Sequence, residues 1–147
     1  MTYRNGLLLV VLIAFAAAAG GCARAARSTE GFAMVDSATL NAPFEETWQA
    51  TKAVLREKDC ELYTRDKRGT FVAFTQMHRY LRFLTPKRMK YTITLEEVSS
   101  DSTRISIETI QQVYGVTLLT YPDWHDRKTT DNSEALAILD AVKARVS

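Results

Sequence analysis

Between residues 89 and 108 the chain alternates with a period of two, and this leaves little freedom in how it folds. Met89, Tyr91, Ile93 and Leu95 are interleaved with Lys90, Thr92, Thr94 and Glu96. After Ser99-Ser100-Asp101-Ser102 the pattern resumes in Arg104-Ile105-Ser106-Ile107-Glu108. Successive side chains of a strand point to opposite faces, so these are two strands with one dry and one wet face, joined by a polar turn. After Thr109 the phase slips, because Ile110 stands where a polar residue is due, and a bulge or the strand's end is expected there. A sheet with one dry face needs an apolar layer against it.

Two amphipathic helices supply that layer. Asn41-Ala42-Pro43 opens the first, with Asn41 as its cap, Pro43 in the first turn, and Glu45 and Glu46 at the positive end of the dipole. Phe44, Trp48, Thr51, Val54 and Leu55 recur at spacings of three and four, while Glu45, Glu46, Lys52, Arg56 and Glu57 face water. In the second, Asp131 and Glu134 have the spacing of a capping box, and Ala135, Ile138, Leu139, Val142 and Val146 form the apolar stripe. Residues 32–40 read as a first strand. Residues 60–64 and 70–75 read as a hairpin about Asp66-Lys67-Arg68-Gly69. Residues 115–130 are less regular, with 116–119 as a candidate short strand. The expected class is α+β: a single domain whose antiparallel sheet of four to five strands packs against two helices in the order β-α-β-β-β-β-α.

The amino terminus speaks to location. Arg4 precedes an apolar run of 13 residues, Leu7 to Ala19, which is short of the roughly 20 that cross a bilayer. Ala19-Gly20-Gly21 then leads directly into Cys22. This junction resembles a bacterial lipoprotein lipobox, with Ala19 where that family usually has Leu. The resemblance implies cleavage before Cys22, a diacylglyceryl thioether on its sulfur and a fatty acyl group such as palmitate on the new amino terminus. Several acyl chains anchor a protein stably where one holds it only marginally. Ala23 stands in place of the Asp that commonly retains such lipoproteins in the inner membrane, which implies the periplasmic face of the outer membrane. Plain secretion with an incidental Cys22 is the alternative.

The expected organisation is therefore a cleaved signal peptide over residues 1–21, a lipidated tether over 22–31 and one α+β domain over 32–147. Without the signal peptide, 18 Lys and Arg face 17 Asp and Glu, so no polyanion partner is implied. With Cys22 lipidated, Cys60 stands alone and no intramolecular disulfide forms; a small buried hydrophobe is its expected role. The element order, with the phrase Ala42-Pro43-Phe44-Glu45-Glu46-Thr47-Trp48 and Leu55 after it, is similar to the helix-grip arrangement of small bacterial envelope lipoproteins. The repeated domains of the lipoprotein C subunit of the β-barrel assembly machinery are among them. That likeness implies a helix-grip-like domain working in the envelope.

Three constellations could carry chemistry. His78 to Lys90, expected as a loop, holds five Lys and Arg, no acid, and an interleaved Tyr80, Leu81, Phe83 and Leu84. Arg79, Tyr80, Arg82, Phe83, Lys87, Arg88 and Lys90 are the candidate partner-binding residues, since basic steering with apolar anchors suits a protein partner or lipid head groups. The same composition also suits a loop whose apolar residues simply close the core; nucleic acid is not expected for an exported chain. Tyr121-Pro122-Asp123-Trp124-His125-Asp126 reads as a turn in which Tyr121 and Trp124 pack on the domain and Asp126 pairs with a cation. Its spacing matches no established metal-ligand set, and no cofactor or metal is expected. No GxSxG occurs, and His78 and His125 are the two histidines.

The leading expectation is a non-enzymatic binding or assembly module bound to the membrane through the lipid on Cys22 and to an envelope protein through residues 79–90. The second is a carrier or sensor of an apolar ligand held between sheet and C-terminal helix, which calls for an apolar-lined cavity of about 300 Å³ or more. The third, a hydrolase or metal enzyme, calls for His78, His125 or carboxylates converging in a pocket.

Overall fold

A computed structural model describes residues 25–58, 60–75, 85–115 and 121–147. They form β1 (Met34–Leu40), α1 (Phe44–Glu57), β2 (Glu61–Asp66), β3 (Thr70–Phe74), β4 (Lys87–Ser99), β5 (Ser102–Gly115), β6 (Asp123–Arg127) and α2 (Ser133–Lys143). One antiparallel sheet holds all six strands in the order β1-β5-β4-β3-β2, with β6 also on β5. The α+β class with two helices is as expected. The sheet has six strands instead of four to five, and the additional one, β6, lies where a turn was expected. The signal peptide, Cys22, residues 76–84 and the candidate strand 116–119 lie outside the described residues.

The alternation read from the sequence is the burial pattern of the sheet. Tyr91, Ile93 and Leu95 of β4 and Ile105 and Ile107 of β5 are buried on one face with Phe71 and Ala73 of β3. Trp48, Val54 and Leu55 of α1 and Ala135, Ile138, Leu139 and Val142 of α2 close over them to make the core. Each large side chain so buried contributes about 1.5 to 3 kcal/mol. The other face carries neither helix.

The slip at Ile110 is neither a bulge nor an end. The β4–β5 ladder runs unbroken from Lys87 opposite Val113 to Glu97 opposite Thr103. What changes is the partner along the other edge of β5: β1 lies opposite Thr103 to Thr109, and β6 lies opposite Gln111 to Gly115. Register shifts occur instead between Leu62 and Thr64, around Tyr63, and between Glu97 and Ser99.

Both helices start differently from expectation. Pro43 holds the cap position of α1 and no side chain caps it; Thr47 donates its N–H to the Pro43 carbonyl at 3.0 Å, so Asn41 is not the cap. Asn132 holds the cap position of α2, and its amide donates to both carboxylate oxygens of Asp36, each at 3.0 Å, tying the helix to β1. Asp131 accepts the Ser133 N–H at 2.9 Å, while Glu134 pairs with Lys58 at 2.8 Å instead of completing a capping box. That pair and Arg145–Glu57 join α2 to the end of α1.

The Ser133 N–H holds the Asp131 carboxyl below its ordinary value. A carboxyl depressed on folding stabilises the native state above its unfolded pKa, and that contribution is lost as pH falls through the folded value. Urea midpoints of wild type and Asp131→Ala are therefore expected to differ at pH 6 and to converge as the carboxylate protonates below about pH 4. A constant gap across that range would contradict the capping role.

Gly69 closes the β2–β3 hairpin with φ +108°, donating to the Asp66 carbonyl at 3.0 Å. Its own carbonyl accepts the Leu95 N–H at 2.7 Å, and the Trp48 indole donates to the Asp66 carbonyl at 3.3 Å. The turn is thus tied both to α1 and to β4.

Candidate interaction surface

Strand β4 begins at Lys87, two residues before the expected start at Met89, so Lys87 and Arg88 join Lys90 in the sheet instead of lying in a loop. The candidate residues Arg79, Tyr80, Arg82 and Phe83 lie outside the described residues, as does His78. Register places Arg88 beside Gln112 of β5, and Gln112 beside Asp126 of β6. Directly opposed residues share a face, so the three form a row across the side of the sheet that carries no helix.

The row is hydrogen-bonded end to end. The Arg88 Nε–H donates to Gln112 Oε1 at 2.8 Å, and Gln112 Nε2 donates to Asp126 Oδ1 at 2.8 Å. Arginine only donates and a carboxylate only accepts, so the chemistry itself fixes the orientation of the amide. The Arg88 guanidinium carbon lies 3.9 Å from the ring centre of Phe74 and 4.0 Å from that of Trp124, so one plane is held between two rings. Each such contact contributes about 0.5 to 2 kcal/mol, more as the group is desolvated. Burial draws the guanidinium below its ordinary pKa, and Glu61 and Asp123 act in the opposite sense.

Further rings extend the cluster. Tyr114 meets Trp124 edge-on at 5.3 Å, and Tyr63, 78 % exposed at the β2 register shift, meets Phe74 edge-on at 6.1 Å. Phe74 and Gln112 are themselves buried here. The exposed face therefore has a small packed centre of its own, flanked by Lys90, while the exposed Lys87 stands at the end of β4 and alternates to the other face.

Sequence reasoning found Arg88 but missed Phe74, Gln112, Trp124 and Tyr63 as its company. The signal was the slip at Ile110: Ile110, Gln112 and Tyr114 are less polar than residues facing only water need to be. Trp124 packs on the domain as expected. Tyr121, at 94 % exposed, does not, and the Asp126 carboxylate accepts from the neutral Gln112 amide.

The other candidates are separated by the same geometry. Strand alternation puts His125 and Asp123 on one face of β6 and Asp126 on the other. Among the described residues no three His, Cys, Asp or Glu side chains stand close enough to hold a metal ion. Between the sheet and α2 lies a pocket of about 140 Å³ rimmed by Lys128, Asp131, Ser133 and Glu134. Tyr91 lies at that pocket, its phenol pushed above the ordinary range by burial and then by Glu134, Cys60 and Asp131. A second, more open hollow of about 470 Å³ is lined by Thr39, Leu40, Asn41, Lys143, Val146 and Ser147. Neither is the apolar-lined chamber that the carrier reading calls for. Cys60 is partly buried against the core.

Among the described residues no helix is long and apolar enough to cross a membrane. No protein-family model matches the chain, and no curated protein matches it.

Proposed function

We propose that this chain is a lipid-anchored, non-enzymatic binding or assembly module of the bacterial envelope. Cys22 carries the anchor at the periplasmic face of the outer membrane, and an envelope protein is met through Arg79, Tyr80, Arg82, Phe83, Lys87, Arg88 and Lys90. The observation that carries this reading is the position of Arg88 and Lys90: they lie at the start of β4 beside an aromatic cluster on the face with no helix, with Lys87 exposed at the strand's first residue. Arginine and aromatic side chains are enriched where protein partners bind, and lysines at the rim raise the rate of encounter. The lipobox junction at Cys22 supports the location.

The geometry also decides which residues a test should change. Arg88 holds two rings and an amide in place, so its replacement disturbs the surface itself, whereas Lys87 and Lys90 make no such contacts. Crosslinking in intact cells followed by purification from detergent-solubilised membranes is expected to recover a specific envelope protein with the wild type. The Arg82→Glu, Lys87→Glu, Lys90→Glu variant is expected to lose at least about tenfold of that recovery through like-charge and steering effects while keeping its unfolding midpoint. Cys22→Ser is expected to leave the membrane fraction. Recovery indifferent to the triple reversal would refute the contact assignment, and a membrane-bound Cys22→Ser would refute the anchor.

A further inference from the structure

We propose that Arg88 is a pre-set receptor for a carboxylate carried by a protein partner, so that the helix-free face around it docks an acidic polypeptide segment with an apolar neighbour to the acid. This deepens the binding-module reading and rests on it.

A guanidinium offers five N–H donors in one plane and two apolar faces. At Arg88 the rings of Phe74 and Trp124 occupy both faces, at 3.9 and 4.0 Å, and Gln112 occupies the Nε edge. The edge that remains is the pair of Nη groups. Among the described residues no acceptor meets it, and Arg88 is partly exposed. Two parallel N–H donors at that spacing match the two oxygens of a carboxylate. Stacking has already immobilised a long side chain, so a ligand does not have to order it.

The surroundings favour a protein over a lipid surface. An anionic bilayer is drawn by a broad positive field. Here Glu61 and Asp123 act on Arg88, and Asp126 stands at the end of its hydrogen-bonded row, so the local field is balanced. What is left is point recognition: one well-aimed donor pair beside exposed apolar surface. Tyr63, 78 % exposed against Phe74, provides the apolar neighbour, and Lys90 follows Arg88 on the same face. Arg with Tyr and Trp around it is the composition of an interface hot spot.

The test uses full-length protein in neutral detergent, panned against displayed random twelve-residue peptides. Enriched peptides are then synthesised with their acids intact or as Asn and Gln. Trp124 fluorescence reports binding, since the second tryptophan, Trp48, is buried. Enriched peptides are expected to carry Asp or Glu beside a large apolar residue, and the amide forms to bind at least about tenfold more weakly. Arg88→Lys, which keeps the charge and loses the fork, is expected to weaken binding by about tenfold or more, and Lys87→Gln by less than about threefold. Tyr63→Ala, at an exposed position that folding tolerates, is expected to weaken it severalfold even if Arg88→Lys proves unstable.

Failure to enrich any peptide, equal binding of acid and amide forms, or an Arg88→Lys protein that binds like wild type would overturn the proposal. So would Arg88-dependent capture by phosphatidylglycerol vesicles over phosphatidylcholine vesicles, measured with Cys22→Ser, which would assign the site to lipid. If cellular crosslinking still depends on the lysines while the peptide experiment fails, the module stands without this receptor. If peptides bind through Arg88 and no envelope protein is crosslinked, the proposed cellular role falls instead.

Discussion

Phe71→Ala is expected to remove about 3 to 5 kcal/mol of folding stability, a large part of the total that holds a domain of this size together. Phe71 is fully buried, lies opposite Ile93 in the sheet and stacks at 5.6 Å on Trp48, itself 3 % exposed. Truncation would leave a hole bordered by a strand that is pinned on both sides and a helix held at its end by the Lys58–Glu134 and Arg145–Glu57 pairs, so the site has little means of collapsing. Denaturant unfolding should show the midpoint fall with an unchanged slope. Phe71→Leu, which keeps most of the volume, should cost less than about 1.5 kcal/mol. Val72→Ala, one residue along and facing the other way, should cost less than about 1 kcal/mol. Equal losses at residues 71 and 72 would mean that the dry and wet faces are wrongly assigned.

Gly69→Ala is expected to be nearly as damaging, at about 3 kcal/mol or more, from strain and overpacking together. At φ +108° an L residue is strained wherever it sits, and a Cβ there would stand 2.5 Å from the Leu95 carbonyl oxygen and 3.1 Å from the Phe44 ring. The carbonyl cannot retreat easily, because the neighbouring Leu95 N–H is bonded to Gly69 itself. Gly31 gives the internal control: its φ is +70° and nothing lies within 4 Å of the same added carbon. Gly31→Ala should therefore show the conformational cost alone, about 1 to 2 kcal/mol. If the two substitutions cost the same in thermal unfolding, the close approach of the hairpin turn to β4 and α1 is not what constrains residue 69.

The elements that were legible in the sequence are those with a long regular period. Met89 to Leu95 and Ile105 to Ile107 announced their face because half of each strand had to leave water. The stripes on α1 and α2 announced theirs for the same reason. Helix starts were harder to read: Asn41 and Asp131 have good capping chemistry, yet Pro43 and Asn132 hold the cap positions, and Asn132 is drawn to Asp36 of β1, 96 residues away. A tertiary partner of that kind leaves no local trace. Strand β6 was missed because its five residues, Asp123 to Arg127, hold three charged groups and a histidine, which resembles a solvated turn. It is a strand because β5 extends past the end of β1 and offers it an open edge. The interaction surface was half legible: the basic run marked Arg88, but the rings that flank it come from β3 and β6, and only pairing brings them together.

The shared edge of β5 also has a consequence for the order of events as the chain folds. The β4–β5 ladder closes across a turn at Ser100 and Asp101 and zips locally, whereas β1 must wait for partners that lie 63 to 75 residues later in the chain. Closing a loop of that length is a slow, entropically opposed step compared with forming a hairpin. During synthesis β1 emerges long before Thr103 to Thr109 exist, so for that interval it is an extended apolar and Thr/Ser segment with one acid, Asp36, and no native strand to join. The first strand to be made is thus among the last to be placed, and residues 34–40 stay without their native strand partner until β5 arrives.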